Sequence, residues 1–362
     1  MRGLRVMVTG AGAPGIRGTL YALHHNPDAW RVYTVGVDIS SFAVGKYFVD
    51  AFYRIPPPES VDYIPELLSI ALKEKVDVIL PQTTREILVL SQEERVFRER
   101  NIGVAVSRSE AVSLANDKLR LVQKFAELGL PYPEYRLTRT EEELIAAVRE
   151  LGYPEKPVVV KPPTSSGMRG FRVVRENAWD LRRFLQEKPD GTEIELEALL
   201  RTLRRGSGWP LLIVSEFLPG DEYTADVFRG EHAFVAVARK REVIRSGITF
   251  RARLESRSDL VENVRVVAES IDLKYAFGFQ FKLDSNGVPK VLECNPRVQG
   301  TMVASAFVGA NVIWWAVREA VGAPVTLGEI EEQLWKSGID EVSFYRYWGG
   351  VGVYDDRVLG EI

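Results

Sequence analysis

The chain has few of the residues that usually mark a reactive site. Cys294 is its one cysteine, which excludes an internal disulfide framework and thiolate zinc clusters and makes a reducing cytoplasm the expected setting. The three histidines, His24, His25 and His232, have no metal-ligand spacing, and no Ser/His/Asp or Cys/His arrangement stands out. Long apolar runs are also missing. Nothing approaches the roughly 20 residues of a membrane span, and Met1 to Thr9 reads as a short strand with no signal peptide. A basic surplus is absent too: Lys and Arg number 47 against 50 Asp and Glu, a net charge of −3 that argues against a general binder of nucleic acid or anionic membrane. Arg201, Arg204 and Arg205 read as a solvated helix face. What remains is an ordinary globular composition, 46% hydrophobic and 27% charged, over 362 residues, enough for two or three domains with cores of their own.

Strand-like runs at 5–9, 32–38, 76–80 and 102–106 alternate with helical stretches at 16–23, 61–73 and 85–98. That alternation predicts a parallel sheet with helices on both faces. Gly10-Ala-Gly12-Ala-Pro-Gly15 follows the first strand, and Asp38 ends the second. This is the dinucleotide fingerprint, and it leaves open an NAD-dependent oxidoreductase built on Gly10, Gly12, Gly15 and Asp38. A sharp, closely packed strand-to-helix turn selects glycine equally well.

Further on, Asn116 is placed to cap a helix ended by Gly129 and Pro131, and Thr140 with Glu143 forms a capping box for the next, stopped by Gly152. A buried strand, 157–161, ends in Lys161. Thr164-Ser-Ser166-Gly167-Met-Arg-Gly170 then makes a small-residue loop suited to covering phosphates. A polar helical stretch, 177–205, leads to a strand at 211–218. Glu216, Phe217 and Leu218 suit an adenine hinge there, and Glu222 is close enough for ribose hydroxyls. Arg241, Arg251 and Arg253 could bind a second carboxylate, but arginines on exposed strands are more often solvated. Gln82, Thr83, Thr84 and Arg85, at the end of a predicted parallel strand, are weaker candidates for contacts to an acceptor.

The most informative segment runs from Gln280 to Arg297. Asn286-Gly287 predicts a two-residue type I′ turn, which sets Gln280 directly across from Glu293. Val291, Glu293 and Asn295 then share one face while Leu292 and Cys294 point away. One carboxylate and two amide oxygens suit Mg²⁺, and Arg297 beyond the turn suits charge developing on a transferring group. An apolar helix, 302–321, is expected to cover the hairpin, and 344–348 to form a packing strand, an oligomer contact or part of the substrate site, with core packing favoured.

Phe279-Gln280-Phe with Val291-Leu-Glu293-Cys-Asn295-Pro-Arg297 resembles the metal-binding signature of the ATP-grasp superfamily. The likeness, over roughly 1–330, is to one synthetase half of the carbamoyl phosphate synthetase large subunit, and it fits better than biotin carboxylase or D-alanine-D-alanine ligase. It implies an α/β chain in which a Rossmann-like pre-ATP-grasp parallel-sheet domain, 1–115, precedes an ATP-grasp fold of two α+β subdomains, 116–330. About 156–215 would form the lid, and 331–362 a C-terminal extension. The resemblance further implies ATP contacts at Lys118, Lys161, Ser166, Gly167, Glu216, Phe217, Leu218 and Glu222. Gln280, Glu293 and Asn295 would be ligands to Mg²⁺, with Mn²⁺ an alternative, and Arg297 with Lys161 would be catalytic. The implied activity is ATP-dependent joining of a small carboxylate to an amine through an acyl phosphate, in a cytoplasmic enzyme with no nucleic-acid or membrane partner and with a homodimer left open. Carbamoyl phosphate synthetase uses two such halves and an ammonia-supplying partner; one half is present here. A non-catalytic nucleotide-binding regulator stays as an alternative, against which the intact Gln280, Glu293, Asn295 and Arg297 argue.

Overall fold

A computed structural model describes residues 3–165, 167–177, 180–187, 191–335 and 341–362. The first five strands are β1 (Gly3–Thr9), β2 (Arg31–Asp38), β3 (Ala51–Arg54), β4 (Val78–Leu80) and β5 (Gly103–Val104). They form an all-parallel sheet in the order β3-β2-β1-β4-β5. Its central strands are buried on both faces, which is why they read as continuous apolar runs. On β1, Val6 and Val8 enter one core while Met7 enters the other. Sequence periodicity missed β3, a short, half-buried strand. The helix expected over 85–98 is two, Thr84–Gln92 and Glu94–Arg98, broken at Glu93.

A second sheet combines β6 (Tyr135–Thr138), β7 (Val158–Lys161), β8 (Arg172–Val174), β9 (Glu193–Ile194) and β10 (Leu212–Glu216) in the order β6-β10-β7-β8-β9. Helices Glu141–Glu150 and Leu196–Leu203 pack on it around a core of its own. The polar stretch 177–205 is thus not one helical run. It holds the short helix Leu181–Gln186, then β9, then Leu196–Leu203.

The third sheet is antiparallel, with strands β11 (Glu222–Arg229), β12 (Phe234–Arg245), β13 (Ile248–Glu255), β14 (Tyr275–Leu283), β15 (Pro289–Asn295) and β16 (Val342–Tyr345). They are ordered β15-β14-β11-β12-β13-β16. The expected 302–321 helix also splits. A 3₁₀ segment, Met302–Val308, ends at Gly309 with φ +86°, and helix Val312–Ala320 begins after Asn311, whose side-chain oxygen accepts from Trp314 N at 3.1 Å. A Cβ on Gly309 would stand 1.8 Å from the Gln333 carbonyl oxygen, so only glycine passes there. Trp314 and Trp315 of that helix join the first and third sheets in one apolar core. The chain closes with a hairpin, β17 (Val351–Tyr354) and β18 (Arg357–Glu361). Among the described residues no helix is long and apolar enough to cross a membrane.

Candidate active site

The β14–β15 hairpin is made differently from the sequence expectation, yet delivers the same pairing. Its loop has three residues, Ser285-Asn286-Gly287, with Gly287 left-handed at φ +79°, and Asp284 N donates to Val288 O at 3.0 Å. The Asp284 carboxylate accepts from Asn286 N at 2.8 Å and Val288 N at 2.9 Å, closing the turn. An odd loop would set Gln280 against Leu292. A bulge after the Phe281–Val291 pair absorbs one residue and restores Gln280 opposite Glu293. The bulge also corrects one face assignment: Val291 turns into the core beside Phe279, Phe281 and Cys294 instead of sharing the face of Glu293 and Asn295. Cys294 is buried as expected, and burial raises its thiol pKa, so it is a packing residue.

Around Glu293 the polar side chains converge. Its Oε1 accepts from Asn295 Nδ2 at 3.2 Å, and its Oε2 lies 3.3 Å from Lys118 Nζ. Asn295 Oδ1 accepts from Arg297 Nη2 at 3.1 Å, and Arg297 Nε donates to Thr84 Oγ1 at 2.9 Å. Gln280 Oε1 accepts from Arg241 at 3.1 Å, and Arg241 also pairs with Glu222 and donates to Thr249 Oγ1 and Gly247 O. Lys118 Nζ donates to Ser165 O at 2.7 Å. Its helix, Lys118–Glu127, is capped by Asp117, which accepts from Leu119 N and Arg120 N; Asn116 instead ends the preceding helix, Ser109–Asn116.

Lys161, the last residue of β7, is buried, and its pKa falls to about 8. Desolvation is the main cause and the charge of Lys118 the second, with Glu293 opposing. Burial likewise lowers the pKa of Arg297, against Glu293 and Glu86. The donor set is one carboxylate and two amide oxygens on adjacent strands, of the hardness and charge that Mg²⁺ takes.

The hinge residues are partly engaged. Glu216 accepts from Glu134 N at 2.8 Å and pairs with Lys290 Nζ at 2.6 Å, which ties the end of β10 to β15. Phe217 lies 5.4 Å from Lys282 Nζ, and Leu218 is buried. Of the covering loop, Gly167, Met168 and Gly170 take left-handed backbone, while Ser166 lies outside the described residues. Arg241 departs from the solvated reading, being buried within the cluster; Arg251 and Arg253 pair with Glu242. Its one sequence signal is the i, i+2 spacing with Arg239, which puts both side chains on one strand face. Nothing near Thr84 signalled its bond to Arg297.

The glycine loop is shaped by packing. Gly12 N donates to Asp38 Oδ2 at 2.7 Å, and Gly45 N to Ala11 O at 3.0 Å. A Cβ on Gly15 would stand 2.6 Å from Gly300 Cα.

Residues 209–340 match the family described as ATP-grasp in the biosynthetic pathway with Ter operon, and residues 6–105 match the PylC-like N-terminal domain. The carbamoyl phosphate synthase large chain of Beutenbergia cavernae is 27% identical over 327 residues, which are 84% of this chain and 27% of that protein. The chain thus spans about a quarter of such a large chain. Among solved structures, an ADP complex of N5-carboxyaminoimidazole ribonucleotide synthetase has a TM-score of 0.66 at 16% identity, over 90% of this chain and 78% of the other. Biotin carboxylase from Campylobacter jejuni, also at 0.66, is 18% identical over 90% and 72%. The chain thus has the fold of these ATP-grasp enzymes, carries an ATP-grasp family match over residues 209–340, and resembles one synthetase half of the carbamoyl phosphate synthase large chain.

Proposed function

We propose that the chain is an ATP-dependent ligase that phosphorylates a small carboxylate and passes the acyl group to an amine, releasing ADP and phosphate. The reading rests on one cluster: Lys118 and Lys161 beside Glu293, with Asn295 and Arg297 hydrogen-bonded in series behind it. ATP would lie between the second and third sheets, its adenine near Glu216, Phe217 and Leu218 and its ribose near Glu222. Mg²⁺ held by Gln280, Glu293 and Asn295 would neutralise the β- and γ-phosphates. Lys118 and Lys161 bind phosphate oxygens, and their charges hold the γ-phosphoryl group in line with the attacking carboxylate. Arg297, fixed by Thr84 and Asn295, meets the oxyanions of the acyl phosphate and of the tetrahedral adduct that the amine forms. The glycine loop supports no dinucleotide chemistry, because the chain's own backbone packs onto it.

The test is an ADP-release screen with pooled small acids and amines, in which hydroxylamine traps any acyl phosphate as a hydroxamate. Acid-dependent ADP release with hydroxamate supports the reading. Release of AMP and pyrophosphate, or ATP binding with no turnover under any pool, goes against it.

A further inference from the structure

The glycine loop and Asp38 have no role in that reading so far, yet they line a cleft of about 480 Å³ at the carboxyl ends of β1, β2 and β4. Crevices at that end of a parallel sheet are where small ligands collect. A dinucleotide does not fit this one. Gly300 packs on Gly15, at the helix N-terminus that would take a pyrophosphate, and Ala43–Gly45 folds back onto Ala11.

The cleft has two kinds of wall. Phe42, 94% exposed, joins Ile39 and Val44 in an apolar rim. The polar wall holds Glu86, Arg85 and Asp38. Glu86 is buried away from the cleft surface and accepts four hydrogen bonds, from the Thr9 and Tyr63 hydroxyls and from Gln82 N and Thr83 N. Arg85 is paired through both arms of its guanidinium with Glu59. Asp38 differs: it accepts only the backbone N–H groups of Gly12 and Ser40, at 2.7 and 2.8 Å, and makes no ion pair among the described residues. Each of its oxygens keeps a free lone pair. Thr83, also lining the cleft, precedes Thr84, whose hydroxyl holds Arg297.

We infer that this cleft binds the amine substrate, a small primary amine with an apolar body, its ammonium on Asp38 and its body against Phe42, Ile39 and Val44. The assignment of this ligand as the acceptor rests on the ligase reading above, whereas the binding itself does not. The open carboxylate selects a cation, and the exposed phenyl ring gives an apolar chain a surface that the protein leaves bare.

Calorimetric titration of the full chain without nucleotide, using 2-phenylethylamine and its anionic counterpart phenylacetate, tests this directly. The amine should bind, with the acid at least about tenfold weaker. Asp38→Asn keeps an oxygen for Gly12 N and should bring the two probes within about threefold of each other. Phe42→Ala should weaken the amine by about threefold or more while preserving the preference for it. Equal binding of both probes by the parent, or no binding of the amine at about 10 mM, overturns the inference. Either result leaves Mg-ATP binding, measured separately, untouched, so failure here is distinct from failure of the ligase reading. If Asp38→Asn does not fold, the parent's two probes and Phe42→Ala decide the matter alone.

Discussion

Lys161 concentrates the electrostatics of the site in one residue. Its pKa in the folded protein, about 8, lies below the 10.5 of a free lysine, so the folded state resists the charge that ATP would need. A depressed lysine costs stability below pH 8, and the cost fades as pH rises from about 8 to 10.5, where the unfolded chain still binds the proton. The full cost is on the order of 3 kcal/mol. Lys161→Met should therefore stabilise the free protein at pH 7, with an advantage that shrinks towards pH 10 in urea melts. A difference that ignores pH would contradict the assignment. Mg-ATP affinity of the parent should move the other way, falling as pH rises through 8, because phosphate attraction needs the protonated form. A second buried charge sits beneath the site, where Arg239 meets Asp226 through two bonds at 2.8 and 3.0 Å, both residues fully buried. Asp226→Asn should cost about 3–5 kcal/mol by chemical denaturation, since it leaves the guanidinium without its counter-charge. Neither residue is legible in sequence as anything but strand. Their partnership depends on the β11–β12 register, which no local pattern specifies.

At the scale of elements, the sequence carried parity better than geometry. Gln280 and Glu293 read as cross-strand partners, and they are, but through a three-residue loop and a bulge instead of a type I′ turn. The turn signal at Asn286-Gly287 was present. What the sequence left unsaid was the Asp284 carboxylate taking up two backbone N–H groups, which favours the longer loop. At 302–321 a mostly apolar run reads as one helix, but it breaks where Gly309 turns left-handed and Asn311 caps the next helix. The two glycines make a matched test. Gly287→Ala meets nothing within 4 Å and should cost only the 1–2 kcal/mol, roughly, of a left-handed alanine. Gly309→Ala adds a collision with backbone at a similar φ and should lower thermal stability well beyond that. Equal losses at the two positions would mean that the Gln333 contact yields without cost.

Over the whole molecule, the first and third sheets share one core through Trp314 and Trp315, whereas the second sheet has a core of its own. The C-terminal segment adds a strap. β16 extends the third sheet, and Arg346 beyond it donates to Pro14 O, Gly300 O, Thr301 Oγ1 and Thr249 O, at 3.1, 2.5, 3.1 and 3.2 Å. The exposed pairs Arg17–Glu361 and Lys46–Asp356 add little to this. Hydrogen exchange should thus find the first and third sheets opening together and the second opening at lower free energy. Separate opening of the first sheet would contradict the shared core. The glycine loop illustrates what a sequence hides at this scale: its spacing matches a dinucleotide fingerprint, but Gly15 is required by Gly300, a neighbour only in the fold.

The central claim is that the β14–β15 hairpin holds the metal of a phosphoryl-transfer site, and Glu293, its one carboxylate in the set, tests it most directly. Glu293→Gln preserves size and strand and should melt close to the parent. Its amide cannot supply the negative charge that competes with water for Mg²⁺. Acid-dependent ADP release at saturating Mg-ATP should fall on the order of a hundredfold or more. Retention of more than about a tenth of the parental rate would show that the hairpin is not the catalytic metal site.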